Sequence, residues 1–248
     1  MEYAEYKIMY EAEDVHWWYR GLRGTLFTML RLDRTDSRGL RFLDAGCGTG
    51  GNLDALQRAG YDAQGFDFSP VAVEFCRARG LNKVGLGSIT DIPYPDSGFD
   101  VVISCDVLND AGTGDEERAL EEIYRVLRPG GRVFLNLPAF SFLKGEHDRA
   151  TDVAHRYTKG EIRRKLKRAG FVPVRLSYWN MLLFPAVLAV RLVRHGRGGK
   201  DEPRSDITVP AAPANWILTR LMNIERGLVN VIDLPVGSSL AVVAKRPR

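Results

Sequence analysis

The sequence predicts an α/β fold, a seven-stranded, doubly wound and mostly parallel sheet. Three observations carry that expectation. From Leu40 onward, apolar runs of strand length alternate with segments of helical period, the pattern of a parallel sheet joined by helical crossovers. The first run, Leu40 to Leu43, passes through Asp44 into a turn of Gly46, Gly48, Gly50 and Gly51, where the near absence of Cβ atoms lets backbone approach a ligand. One such pattern fills the 248 residues without an internal repeat, so the chain reads as one domain with additions. Its expected parts are a helical cap at 1–39, a core at 40–178, a helical insertion at 179–237 and a last strand at 238–248.

The opening segment mixes charge with aromatics in Glu13-Asp-Val-His-Trp-Trp-Tyr-Arg20, then turns amphipathic through Leu22, Leu26, Met29 and Leu30, which predicts the cap. Arg34 to Gly39 is a polar connector. Strands are expected at 40–44, 61–67, 83–87, 99–104 and 131–137, with helices at 51–59, 70–79 and 115–128. Ser69-Pro70 opens the second of these helices, since proline suits a first helical turn, and Gly80 stops it. Thr158 with Glu161 three residues on is a capping box for a helix to about Ala169. Phe171 to Tyr178 and Ser238 to Lys245 complete the strands. Between them lie an apolar piece from Met181 to Val193, a loop rich in Gly, Lys, Arg and Pro from His195 to Arg204, and an amphipathic helix through Trp216, Leu218, Leu221, Ile224 and Leu228. The sheet does not require this insertion. It is expected to cover a second-substrate site, with the middle loop as its mobile part.

A strand, a glycine turn and a helix N-terminus together present free N–H groups to a polar or negative ligand group. Gly46, Gly48 and Gly51 also satisfy G-x-G-x-x-G, and Asp67 lies 67 − 46 = 21 residues on, where a dinucleotide site wants an acid for its ribose. Two ligand classes therefore compete. Asp44 favours S-adenosylmethionine, which carries an ammonium and a sulfonium, over NAD, whose pyrophosphate an acid beside the turn repels.

Ile92-Pro-Tyr-Pro-Asp-Ser-Gly-Phe-Asp100, the strand Val101 to Ser104 and Leu127-Arg-Pro-Gly-Gly131 add ordered motifs to the glycine turn. Over roughly Leu40 to Leu137 the chain resembles the class I S-adenosylmethionine-dependent methyltransferases of the type 11 group. The resemblance implies a Rossmann-like sheet with an antiparallel last strand, S-adenosylmethionine as cofactor and S-adenosylhomocysteine as product. It implies cofactor contacts at Asp44, Gly46, Cys47, Gly48 and Asn52 around the turn, and at Asp67, Phe68 and Ser69 after the second strand. Asp67 would accept bonds from both ribose hydroxyls and Phe68 would offer a face for adenine. Read as structure alone, the same stretch is a helix N-cap with a core aromatic. Ser88 and Ile89 follow the third strand; the group commonly carries an acid where Ser88 stands, and a hydroxyl holds the adenine amine more weakly. Asp91 offers compensation, and Ile89 is either a ring contact or ordinary core. Cys105 is implied beside the methionine portion, with Asp106 toward the acceptor cleft. Relatives often read Glu-His shortly after Val-Leu, where this chain has Asn109 and Asp110, so that histidine's role does not transfer. Trp18 and Arg23 are candidates to close over the sulfonium and the cofactor carboxylate, or the tryptophans staple the cap to the core.

Methyl transfer from a sulfonium is an in-line displacement, in which positioning supplies ~7–11 kcal/mol. A base adds ~10²–10⁴ in rate when the acceptor must lose a proton. Gly145-Glu-His-Asp-Arg149 and His155-Arg-Tyr157 follow the fifth strand and offer His147 as that base, with Asp148 and Tyr157 orienting it or the acceptor. An Asp148–Arg156 pair that fixes the loop is the competing reading. Glu146, His147, Asp148 and His155 lack a second cluster of acids, so no metal site is expected.

Lys and Arg total 35 against 31 Asp and Glu, and the resulting +4 is spread along the chain, so no nucleic-acid partner is expected. The basic run Arg163 to Arg168 has no interleaved aromatics. Cys47, Cys76 and Cys105 show no paired spacing and the N-terminus shows no secretory pattern, so a reducing, cytoplasmic setting is expected. Met181 to Val193 is too short to span a bilayer and is interrupted by Pro185 and Arg191; contact with a membrane surface or a lipid-like acceptor stays open, as does a homodimer. The expected activity is methylation of a small molecule at oxygen, nitrogen or carbon, the acceptor being a secondary metabolite, an aromatic or a lipid-like compound. An NAD-dependent oxidoreductase and a non-catalytic S-adenosylmethionine-binding protein are the alternatives, the latter favoured if Trp179, Phe184 and Trp216 fill the acceptor cleft.

Overall fold

A computed structural model describes residues 3–32, 39–109, 115–145, 148, 153–196 and 208–248. Its strands are β1 Arg41–Ala45, β2 Asp62–Asp67, β3 Val84–Leu86, β4 Phe99–Cys105, β5 Leu127–Pro138, β6 Val172–Trp179 and β7 Ser239–Lys245. They form one seven-stranded sheet in the order β3-β2-β1-β4-β5-β7-β6. The pairs among β1 to β5 are parallel, and β7 runs antiparallel to both β5 and β6. The chain winds one way from β1 to β2 and β3 and the other way through β4 and β5. The C-terminal ends of β1 and β4 thus border the switch point, where open α/β sheets hold their ligands.

Helices are α1 Tyr3–Ala12, α2 Trp17–Leu30, α3 Gly51–Arg58, α4 Pro70–Ala78, α5 Glu116–Val126, α6 Lys159–Arg168, α7 Phe184–Gly196 and α8 Ala212–Val231. Alternation along β1 sends Leu43 and Ala45 into the apolar layer under α5 and α6, and Phe42 into the layer under α2, α3 and α8. Ser69 caps α4 ahead of Pro70, and Thr158 caps α6 by accepting from the Glu161 N–H. Lys165 and Arg168 of the basic run pair with Glu116 and Glu117 of α5, so two of its cations face a neighbouring helix.

The largest boundary difference from expectation is at β5. β5 begins at Leu127, not 131, because Phe99 pairs with Leu127 before the register slips to Val101 with Arg132. The intervening Arg-Pro-Gly-Gly is accommodated as a bulge with Gly130 at φ 87. β3 is only three residues long and lies at the sheet edge.

The segment between β6 and β7 holds α7 and α8, joined through 197–207, so most of the loop expected to be mobile lies outside the described residues. α8 packs across α2, where Met222 Cγ would sit 3.1 Å from a Cβ placed on Gly21. Buried Glu225 accepts from the N–H groups of Asn180 and Leu182, fastening the β6–α7 turn to α8. Among the described residues no helix is long and apolar enough to cross a membrane.

Candidate active site

A cavity of about 400 Å³ opens at the switch point, walled by α1 and α2, by α7 and by the loops leaving β1, β2 and β4. The glycine turn shapes one end. Gly46 and Cys47 both donate to the Phe66 carbonyl, at 3.0 and 2.9 Å, which bends the chain out of β1. Gly46 has φ 78, and a Cβ there would stand 2.4 Å from Val107 Cγ2, so this position tolerates only glycine.

Asp67 ends β2 and faces the cavity. Its Oδ2 accepts from Gly48 N–H at 2.8 Å and its Oδ1 from Ser69 N–H at 3.0 Å, which locks the carboxylate to both loops. Phe68 beside it is 63% exposed, a flat apolar wall with no core role. Gly46, Cys47, Gly48, Asn52, Cys105 and Trp18 also line the cavity. Trp18 lines the cavity and also packs on Trp179, with centroids 5.5 Å apart, which staples the cap to the core.

Other expected site residues stand elsewhere. Asp44 is buried beneath the turn, outside the cavity wall, and its Oδ2 has no hydrogen-bond partner. Burial, with the charges of Glu13 and Asp67 nearby, pushes its carboxyl well above the usual range. Ser69 serves as the α4 cap. Ser88 is exposed and bonded to Thr90 Oγ1 at 2.8 Å, and Ile89 is core; neither lines the cavity. Arg23 turns away and donates to the Glu13 carbonyl. Tyr157 is fully buried with its hydroxyl on the Leu108 carbonyl at 3.0 Å, a core residue and not an orienting group. Asp148 does line the cavity, yet its Oδ1 accepts from Arg156 Nε at 2.8 Å and its Oδ2 from Gly145 N–H at 2.6 Å, the loop-fixing arrangement. His147 and Glu146 lie outside the described residues. His155 pairs with Glu161 at 2.7 Å, and among the described residues no group of three or more His, Cys, Asp and Glu side chains could hold a metal.

Two constellations escaped the sequence reading, although Asp106 of the second was expected toward the acceptor cleft. Glu13, from the turn after α1, places its carboxylate over the start of α3, where a Cβ on Gly51 would meet it at 2.6–2.8 Å. It accepts from Thr49 Oγ1 at 2.6 Å and from Arg79 Nη2 at 2.8 Å, and burial raises its pKa. The helix N-terminus that would cradle a phosphate is thus already filled by an acid. Nothing in the spacing of Glu13 announces this.

The second constellation is Asp106, which leaves β4 in the left-handed region at φ 57 and borders the cavity. Its N–H donates to the Asn136 carbonyl at 2.9 Å, and its Oδ2 accepts from Asn136 Nδ2 at 2.7 Å. Asn136 Oδ1 in turn accepts from Trp179 Nε1 at 2.8 Å. Burial lifts the Asp106 carboxyl to about 7, against the pull of Asn136 and Arg156. A strained non-glycine residue held by a buried relay is what a positioned reactive group looks like. Asn136 inside the apolar run Val133 to Leu137 was the available signal. Trp179 is thereby committed to the core, and neither Phe184 nor Trp216 lines the cavity, so the three aromatics do not fill it.

A doubly wound sheet whose glycine turn and strand-end acid border one cavity at the switch point defines a Rossmann-like, ligand-binding fold. Comparison with known proteins agrees. Residues 43–135 match the methyltransferase domain family of type 11. The chain is 38% identical over 104 residues to a fatty-acid O-methyltransferase of Mycolicibacterium smegmatis, covering 40% of this chain and 37% of that one. It is 31% identical over 128 residues to a probable tRNA methyltransferase 9B of Bos taurus, covering 51% of this chain and 27% of that one. The chain therefore spans about a third of the length of these relatives. In fold it is similar to a solved chain from the complex between the Haloferax volcanii Trm112 methyltransferase activator and a putative methyltransferase, with a TM-score of 0.63, 24% identity, and coverage of 99% of this chain and 95% of that chain. Residues 43–135 are a methyltransferase domain of the type 11 family, and the sheet around them has the S-adenosylmethionine-dependent methyltransferase fold.

Proposed function

We propose that this chain moves the methyl group of S-adenosylmethionine to a small, largely apolar acceptor that must shed a proton from oxygen or nitrogen. The observation that carries the cofactor half is the placing of Glu13 and Asp67 on the cavity wall beside the glycine turn, with Asp44 buried beneath it. Carboxylates there favour a ligand with ammonium and sulfonium charges and repel a pyrophosphate, which speaks against the NAD reading. The orphaned Asp44 Oδ2 supports the same fit, since a buried acceptor without a donor is relieved by a nearby cation.

When bound, S-adenosylmethionine supplies an electrophilic methyl on a sulfonium. Asp67 would hold the ribose hydroxyls, Phe68 the adenine face, and Asn52, beside the close-approaching backbone of Gly46 and Gly48, the amino-acid portion. Trp18, Leu22, Leu143 and Val187 give the remaining wall its apolar character and would exclude water. Asp106 would take the proton of the acceptor, poised by its pKa of about 7 to accept near neutrality.

Parallel calorimetric titrations with S-adenosylmethionine, S-adenosylhomocysteine and NAD test the reading. Micromolar binding of the first two with none for NAD is expected. Binding of NAD alone would overturn it.

A further inference from the structure

Asn136 is a polar residue where its surroundings are apolar. It is fully buried on β5 between Leu135 and Leu137, in register with Cys105 of β4 on one side and Ala241 of β7 on the other. A buried amide is costly unless both its ends are bonded. Here both are, and by partners of fixed polarity.

An indole N–H donates and does not accept. Trp179 Nε1, 2.8 Å away, therefore meets the oxygen of the Asn136 amide and turns its nitrogen toward Asp106 Oδ2, 2.7 Å from Nδ2. The indole is itself held in place. Trp179 is 1% exposed, its backbone pairs with Ser239 of β7, and a Cβ on Gly237 would stand 2.2 Å from its carbonyl oxygen. Its ring packs on Trp18 of α2. On the far side of the relay, the Asp106 N–H donates to the Asn136 carbonyl at 2.9 Å, so one residue holds both the backbone and the side chain of Asp106.

We propose that Asn136 and Trp179 are positioning residues for proton removal from the methyl acceptor. Trp179 orients the amide, the amide holds Asp106 Oδ2, and proton exchange falls to Oδ1. This role rests on the reading of Asp106 as the base and goes beyond it by assigning what sets that base's strength. The Asn136 N–H favours the charged carboxylate and so opposes the effect of burial. Arg156 acts in the same direction, but its guanidinium is bonded to Asp148. Tyr19 of α2 and Cys105 of β4 also face Asp106, and burial keeps both neutral. Asn136 is thus the direct donor to this carboxyl among the described residues.

The test is carbon-13 NMR of the Asp106 carboxyl against pH, on the full chain without cofactor, with Asp106→Asn to assign the resonance. Asn136→Leu should raise the midpoint by about one pH unit above its parent value of about 7. Trp179→Phe, which keeps a ring and deletes the N–H, should raise it by less, and should add nothing in the Asn136→Leu background. If Asn136→Leu does not fold, Trp179→Phe alone decides, because an indole that only fills space leaves the midpoint where it was. A midpoint unmoved by these variants, or moved by Trp179→Phe equally with and without Asn136, would overturn the proposal. These midpoints need no acceptor, so they fail separately from the methyl-transfer reading; a rate profile unchanged in Asp106→Asn would overturn the base, and the positioning role with it, even where the midpoints shift.

Discussion

The two ends of the cavity are built by opposite strategies. At the cofactor end, Gly46, Gly48, Asp67 and Phe68 come from two adjacent strand ends, and their geometry is set largely by backbone bonds such as those from Gly46 and Cys47 N–H to the Phe66 carbonyl. At the acceptor end, Asp106, Asp148, Asn180 and Arg191 come from four separate elements and are held by side-chain contacts across the fold. A site fixed by local backbone leaves little freedom for variation. One assembled from distant side chains can change its substrate without disturbing the sheet.

The largest effect should come from breaking the rigid end. Gly46→Ala adds a Cβ 2.4 Å from Val107 Cγ2 at a φ of 78, two costs that together reach about 2–4 kcal/mol. Urea unfolding should show that loss, and Val107→Ala in the same chain should recover only the steric part. Full recovery would mean that the backbone conformation is not constrained there. Asp67→Ala should weaken S-adenosylmethionine about 30-fold, or ~2 kcal/mol, by calorimetry, and should also lower stability by about 1–3 kcal/mol because Gly48 and Ser69 N–H lose their acceptor. Unchanged affinity would remove Asp67 from the ribose role.

The assembled end should respond through pH. The Asp106 carboxyl titrates at about 7 in the fold against 3.8 unperturbed. Its protonated form is favoured by folding, so the associated stability is fully present below about pH 3.8 and is lost as pH rises through 7. Asp106→Asn, which keeps the shape without the charge, should be more stable than the parent by about 1–2 kcal/mol at pH 8 and gain nothing at pH 4. With a hydroxyl acceptor, the rising limb of rate near neutrality should vanish in the same variant. An unchanged pH profile would clear Asp106 of proton transfer.

The fold class and the glycine turn were legible because periodicity and glycine spacing are local signals. Leu43, Asp44 and Gly46 announce a strand and a turn within a few residues. The acceptor end was not legible, because Asp106, Asn136 and Trp179 are joined only when β4, β5 and β6 come together in the sheet. Tyr157 misled for a related reason. Its place after β5 suggested the cleft, but α6 and the Leu108 carbonyl claim it for the core. Glu13 shows the limit plainly, since only the docking of α1 against α4 brings it to the glycine turn.

The smallest predicted effect separates family position from actual contact. Ser88 stands where related proteins commonly hold an adenine-binding acid, yet its hydroxyl is engaged by Thr90 Oγ1 at 2.8 Å and accepts from Thr90 N–H at 3.2 Å. It is exposed and forms no part of the cavity wall. Ser88→Ala should therefore change S-adenosylmethionine affinity by no more than about twofold, within the usual range of exposed substitutions. A loss of about tenfold would mean that the 88–91 turn opens to meet adenine. The cofactor end would then be less rigid than its backbone bonds indicate, and the contrast with the acceptor end would narrow to Gly46 and Asp67.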